Sequence, residues 1–117
     1  MKDTLFVKCR PGFVISGFKV DGKMFPKLTV VRNGLGVSFG SLRRLAEFCS
    51  VVRKAVDDPL PIILALSEHF GVFDCGETVE LSIDFLGDGF LIVAMTREEF
   101  SHLCDLAMDI RTTMFCS

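Results

Sequence analysis

The sequence NGLGVSFGSLRRLAEFCSVVRKAV, residues 33–56, decides the fold of this chain, because the same unit occurs twice. Residues 88–111, DGFLIVAMTREEFSHLCDLAMDIR, follow the same plan 55 positions later. Each copy begins with a hairpin-type dipeptide, continues as a short apolar strand and leads through a helix N-cap into an amphipathic helix. The two copies predict a structural duplication.

The turn, the cap and the phase of the helix support this duplication together. Asn-Gly at 33–34 aligns with Asp-Gly at 88–89, and both dipeptides tolerate the positive φ angles of a type I′ turn. Ser41 aligns with Thr96, and Glu99 completes a capping box with Thr96. The helix positions that align are Leu45 with Phe100, Phe48 with Leu103, Cys49 with Cys104, Val52 with Ala107, and Ala55 with Ile110.

Four strands are predicted before each helix, from alternating or continuous apolar runs bounded by turn residues. The first half gives strands at 4–9, 13–20, 23–32 and 35–39 and a helix at 42–56. The second gives strands at 62–67, 70–75, 78–86 and 89–95 and a helix at 97–113. We therefore expect an α+β fold of two ββββα repeats, residues 1–57 and 58–117, that form one compact, pseudo-symmetric domain of antiparallel sheets with both helices on one side. The alternative is an unrelated α+β sheet with two helices and no internal symmetry.

The chain is rich in apolar residues for its length. It has 117 residues, of which 50% are apolar, and a mean hydropathy of +0.45. No apolar run approaches the roughly 20 residues that span a bilayer, so we expect no membrane association. The apolar excess then predicts an interface in addition to a core, and therefore a homo-oligomer.

Cysteine usage and the N-terminal segment predict a location inside the cell. The chain has five scattered cysteines, an odd number that suits free thiols better than a disulfide framework. Asp3, Lys8 and Arg10 interrupt any apolar stretch of a secretory signal. We expect an intracellular protein in a reducing compartment, the cytoplasm or the nucleus.

Charge is distributed unevenly along the chain. Residues 1–54 hold eleven Lys and Arg against three acids, a net charge of +8, whereas residues 55–117 hold two against twelve, a net charge of −10. Such asymmetry indicates a face that binds a polyanion or an electrostatic self-association. The alternative is two ordinary solvated surfaces that differ in charge.

Few residues suit catalysis or metal binding. The two histidines, His69 and His102, lack the paired spacing of a zinc site, and His102 and Cys104 do not share a helix face. Cys49 and Cys104 occupy positions in the helix core, where thiols are usually inert. No nucleophile, phosphate-loop or dinucleotide motif occurs. We expect a non-enzymatic protein with no cofactor, no metal and no small-molecule substrate.

A basic sheet face with aromatic residues is the remaining candidate site. If Leu5, Val7 and Cys9 point to the helix, Phe6 and Lys8 point away from it, together with Phe13, Ile15 and Lys19 of the next strand. Lysine or arginine beside an exposed ring is typical of proteins that bind single strands without sequence preference. The predicted nucleic-acid-binding residues are Phe6, Lys8, Arg10, Phe13, Lys19, Lys23, Arg32, Arg43 and Arg44. The alternative is that all twelve phenylalanines are core, which the absence of Tyr and Trp favours.

The function predicted from this face is binding of single-stranded DNA or RNA, as in a transcription or replication accessory factor. The alternative is a protein–protein adaptor or regulatory subunit, in which the basic half docks an acidic partner.

The order of elements carries a resemblance to known proteins. In residues 27–58 a strand and a turn lead through GLGVSFGSLRRL into the helix. This stretch, with the two successive ββββα units, resembles the PC4-type transcriptional coactivators, the Pur-alpha repeat proteins and the plant Whirly proteins. The resemblance implies single-stranded nucleic-acid binding on curved sheets, with paired helices on the opposite side.

Overall fold

The computed structural model describes residues 2–84 and 89–115 and contains two antiparallel sheets, each followed by a helix. The first unit is β1 (Lys2–Arg10), β2 (Phe13–Val20), β3 (Lys23–Val30), β4 (Leu35–Ser38) and α1 (Leu42–Asp57). The second is β5 (Ile63–Leu66), β6 (Phe70–Asp74), β7 (Thr78–Asp84), β8 (Phe90–Thr96) and α2 (Arg97–Met114). Both sheets are meanders in chain order, β1-β2-β3-β4 and β5-β6-β7-β8. The predicted α+β fold of two ββββα repeats is confirmed.

Both helices begin at the predicted caps. The Ser41 side chain accepts a hydrogen bond from the backbone N–H of Arg44 at 3.2 Å. Thr96 and Glu99 form the reciprocal capping box, with distances of 3.0 and 2.9 Å. These bonds satisfy backbone donors that a helix leaves unpaired in its first turn.

One predicted type I′ turn has the expected backbone conformation and another does not. Asp21 and Gly22 have positive φ angles of 50° and 79°, as a type I′ turn requires. The prediction of such a turn at Asn33-Gly34 is wrong. β3 ends earlier than expected, at Val30, and a four-residue loop leads to β4, with only Gly34 at positive φ. The aligned turn at 88–89 includes Asp88, which lies outside the described residues.

The helices lie between the two sheets, and each helix packs on the sheet of the other repeat. α1 packs mainly on β5 and β6 of the second sheet, whereas α2 packs on β1 and β2 of the first sheet and also on β8 and β7 of its own. The helices also contact each other and part of the sheet in their own repeat. Both helices are therefore on the same, inner side of each sheet, as predicted.

A single core joins the two repeats. Its centre is a triad of rings in which Phe39 follows β4, Phe48 lies on α1 and Phe70 lies on β6, with ring centroids 5.2 to 6.0 Å apart. All three side chains are almost completely buried. Because Phe70 belongs to the second repeat and the other two to the first, neither repeat completes this core alone.

The helix faces match at the predicted offset. Aligned positions that are buried in both helices are Phe48 and Leu103, Cys49 and Cys104, Val52 and Ala107, and Ala55 and Ile110. Val51 and Leu106 are also aligned positions that are buried in both helices, and the sequence pattern did not identify them. A register irregularity also occurs in the first strand of each sheet, between Thr4 and Phe6 and between Ile63 and Ala65.

The predicted orientation of β1 and β2 is wrong. Phe13 and Ile15 face the helices and are 1% and 0% exposed, whereas Val7, expected in the core, is 57% exposed. Phe6 also faces inward, where its ring lies over Gly17. β1 has apolar residues on both sides, so alternation alone could not determine which side is buried, and the missing Cβ of Gly17 makes the space for Phe6.

Candidate nucleic-acid interface

The structure does not bring the nine predicted binding residues together on one face. Phe6 and Phe13 belong to the inner side of the sheet, so the prediction that they face outward is wrong. Their directly paired neighbours on the same side include Lys8, opposite Ile15, and Arg10, opposite Phe13. Lys8 and Arg10 are therefore directed toward α2.

Three of the predicted cations form ion pairs with acids of the second repeat. Arg10 and Lys8 contact Asp109 of α2, with N–O distances of 3.2 and 3.8 Å. Arg32 contacts Glu99 at 3.2 Å and also donates to the Ala94 carbonyl at the edge of β8. Part of the opposite charge on the two halves of the chain therefore forms ion pairs that link the two repeats.

The remaining predicted cations lie in two separate places. Lys19 and Lys23 are exposed near the tip of the β2–β3 hairpin. Arg43 is exposed in the first turn of α1, and Arg44 beside it contacts His69. These residues do not form one continuous surface with β1.

The side of the first sheet that faces away from the helices presents a different set of residues. We call it the basic outer face. Its residues, from the strand register, are Val7, Cys9, Val14, Ser16, Phe18, Val20, Lys23, Phe25, Lys27, Thr29, Gly36 and Ser38. Of these, only Lys23 was in the predicted site. Among the described residues of this face the charged ones are lysines, with no carboxylate.

Two phenylalanines and a lysine form the centre of the basic outer face. Phe18 and Phe25 are directly opposite each other on β2 and β3, and Phe25 is 37% exposed. Lys27 lies two residues beyond Phe25 and extends over Gly36 of β4, where a Cβ would collide with its chain. The inverted orientation predicted for β2 placed Phe18 on the core side, and no side of β3 was predicted to face outward.

The corresponding side of the second sheet is apolar and acidic. We call it the acidic outer face. Its residues, from the strand register, are Ile63, Leu66, Gly71, Phe73, Glu80, Ser82, Asp84, Phe90, Ile92 and Ala94. Phe90 is 70% exposed and Leu66 is 63% exposed. Among the described residues of this face the charged ones are Glu80 and Asp84, so the two outer faces differ in sign.

A partly buried polar cluster connects α1 to the β5–β6 connection. Glu47 accepts hydrogen bonds from the Ser67 hydroxyl at 2.5 Å, the His69 backbone N–H at 2.8 Å and the His69 ring at 2.6 Å. Arg44 is 3.2 Å from the other ring nitrogen, Nε2. Because a guanidinium only donates, this contact makes Nε2 the acceptor and places the ring proton on Nδ1, toward Glu47.

This cluster is built as a structural link between the repeats. Burial alone raises the pKa of Glu47, but hydrogen bonds from Ser67 and His69 outweigh it, so the pKa is below its ordinary value. An open cavity of about 630 Å³ adjoins the cluster. Nε2 of His69, which a general base would use, faces Arg44, and Ser67 donates to Glu47 instead of to histidine. The arrangement is therefore not that of an activated nucleophile.

The described cysteines are free thiols and are poor nucleophiles where their pKa is shifted. Burial raises the pKa of Cys49 and of Cys104 to about 12. The pKa of Cys75 is also raised, because its thiol donates to the Glu80 carboxylate at 3.1 Å. These thiols remain protonated at neutral pH, which lowers their reactivity.

Within residues 2–84 and 89–115, no group of three or more His, Cys, Asp or Glu side chains is arranged to hold a metal ion. Neither of the described helices combines the length and the apolar character needed to cross a membrane. No protein-family model, curated protein or solved structure matches the chain.

Proposed function

We propose that this protein is a non-enzymatic binder of single-stranded DNA or RNA and that the strand lies on the basic outer face. The observation that carries the proposal is the pairing of Phe18 with Phe25 beside Lys23 and Lys27, on a face whose described residues include no carboxylate. Lysine ammonium groups attract phosphates, and a half-exposed ring stacks on a base whatever its sequence.

The small residues of this face support the same function. Ser16 and Thr29 occupy its middle rows between the lysines and phenylalanines, and the Lys27 side chain lies across Gly36, which keeps its ammonium group on this face. Lys19 extends the positive charge at the hairpin tip. Lys8, Arg10 and Arg32, which are paired with acids, contribute less than the sequence suggested.

The resemblance to the PC4-type coactivators, the Pur-alpha proteins and the Whirly proteins supports binding to the sheets and a role as a transcription or replication accessory factor. The free thiols of Cys9, Cys49, Cys75 and Cys104 support a reducing compartment, the cytoplasm or the nucleus.

The test is fluorescence anisotropy with labelled single-stranded oligonucleotides of DNA and of RNA. Replacing Phe25 by alanine should weaken binding by about 1–3 kcal/mol, the usual effect of losing one stacked base. Lys27→Ala should reduce the slope of log K against log salt by about 0.7, the value for one phosphate contact on a single strand.

Lys54→Ala is the matched control, because Lys54 is exposed on α1 away from both sheet faces. It should leave affinity and salt slope close to those of the wild type. Equal affinity for heparin and for oligonucleotides, or an unchanged affinity of the Phe25 variant, would contradict the proposal.

A protein–protein adaptor is the second candidate, and the acidic outer face favours it. Phe90 and Ile92 of β8 are 70% and 50% exposed beside Asp84 and Ser82. Apolar side chains in such a patch are typical of protein-binding surfaces. If oligonucleotides do not bind and a basic protein partner does, this function replaces the first.

A further inference from the structure

The acidic outer face carries a cluster of apolar side chains that the fold leaves exposed. Phe90, Ile92, Leu66 and Ile63 are 70%, 50%, 63% and 41% exposed, and all four lie on this one side of the second sheet. Clustered exposure of this kind is unfavourable in water unless another surface covers it.

The charges on the two outer faces identify that other surface. Glu80 and Asp84 lie among the apolar side chains of the acidic outer face, whereas Lys23 and Lys27 lie beside Phe25 on the basic outer face. Each face therefore offers apolar contact together with charges of the sign that the other face attracts.

The fold keeps both faces available at the same time. The helices contact the inner side of each sheet, so each outer face lies on the side of its sheet away from the helices, and the strands of the two sheets do not contact each other among the described residues. They cannot meet within one molecule. Two antiparallel sheets do pack face to face readily, about 10 Å apart and rotated by roughly 30°.

We propose that the acidic outer face binds the basic outer face of a second copy of this chain. The contact is heterologous, so each copy retains one unused face and the assembly grows into a ring or an open chain. This inference does not depend on the proposed nucleic-acid binding. If both hold, a second copy and a nucleic acid compete for the basic outer face.

The test uses two variants that each disable one face. Ile92→Lys places a positive charge on the acidic outer face, and Phe25→Glu places a negative charge on the basic outer face; both side chains replaced are at least 37% exposed. Sedimentation without nucleic acid, at tens of micromolar and low salt, should show the wild type larger than the 13.0 kDa monomer. Each variant alone should be a monomer. Their mixture should form a 1:1 dimer and nothing larger, because only one complementary pair of faces remains.

Val56→Lys is the control, since Val56 is an exposed apolar residue of α1 that belongs to neither outer face. It should assemble like the wild type. Circular dichroism must show all variants folded, and Phe90→Lys replaces Ile92→Lys if the latter does not fold.

A monomeric wild type would overturn the proposal. Self-association of the Phe25→Glu variant alone would show that the acidic outer face pairs with itself, and self-association of the Ile92→Lys variant alone would show the same for the basic outer face. A mixture that stays monomeric would also overturn it. Failure of this test leaves oligonucleotide binding by the monomer measurable, so the two proposals fail separately.

Discussion

At the residue scale, Glu47 shows how one carboxylate connects two repeats. It lies on α1, yet its hydrogen-bond donors, Ser67 and His69, come from the second repeat. A carboxylate held by several donors is more stable in its charged form, which is why its pKa falls although burial opposes this. Its contribution to stability therefore depends on pH.

Glu47→Gln is expected to destabilise the protein by about 1–3 kcal/mol at neutral pH, because the variant loses the charge-assisted bonds. The pKa of Glu47 is lowered in the folded state, so its stabilising effect is complete above the ordinary value of 4.5 and is lost as pH falls through the folded value. Thermal melting of both proteins across this range should show a difference in the free energy of unfolding that shrinks in acid. Glu68→Gln, at an exposed neighbouring position, should show no such difference. A difference between wild type and Glu47→Gln that stays constant from neutral to acid pH would contradict the assignment.

At the element scale, the sequence predicted the positions of the strands and helices well, but it predicted the wrong sides of β1 and β2 as facing the helices. Turn dipeptides, caps and helix periodicity are local signals, and they placed each described boundary within two residues. Which side of β1 faces the helices depends instead on the cross-strand contact of Phe6 with Gly17, and the apolar pattern of β1, with Phe6 and Val7 on opposite sides, does not reveal it. The same error excluded Phe18 from the predicted site, whereas Phe25 and Lys27 lie on β3, for which the sequence predicted no facing.

The cross-strand contact between Phe6 and Gly17 gives a test of this facing. A Cβ at Gly17 would lie 2.7 and 2.9 Å from two atoms of the Phe6 ring, closer than side chains pack. Gly17→Ala should therefore destabilise the protein by roughly 1–3 kcal/mol, the usual cost of overpacking. In a Phe6→Ala background the same change should cost little, which chemical denaturation of the four proteins of this cycle would show. An equal cost in both backgrounds would mean that Phe6 does not cover Gly17.

At the scale of the whole molecule, the exchange of helices makes the two repeats mutually dependent. α1 covers strands of the second sheet and α2 covers strands of the first, so either half alone would expose much of its helix face to water. The charge asymmetry contributes to this dependence, since Lys8 and Arg10 form ion pairs with Asp109 of the other repeat. The sequence indicated the asymmetry of charge, but only the structure shows that ion pairs within one molecule neutralise part of that charge.

Cutting the chain between the repeats tests this dependence. Fragments 1–57 and 58–117 should each unfold without a cooperative transition, and an equimolar mixture should recover the helical circular dichroism and the cooperative melting of the intact protein. The fragments carry net charges of +7, from eleven basic and four acidic residues, and −9, from two basic and eleven acidic residues. Opposite charges of this size accelerate encounter at low ionic strength, so association should slow as salt increases. A fragment that melts cooperatively alone, at the temperature of the intact protein, would show that its repeat forms its own core, and the exchanged helices would then contribute little to stability.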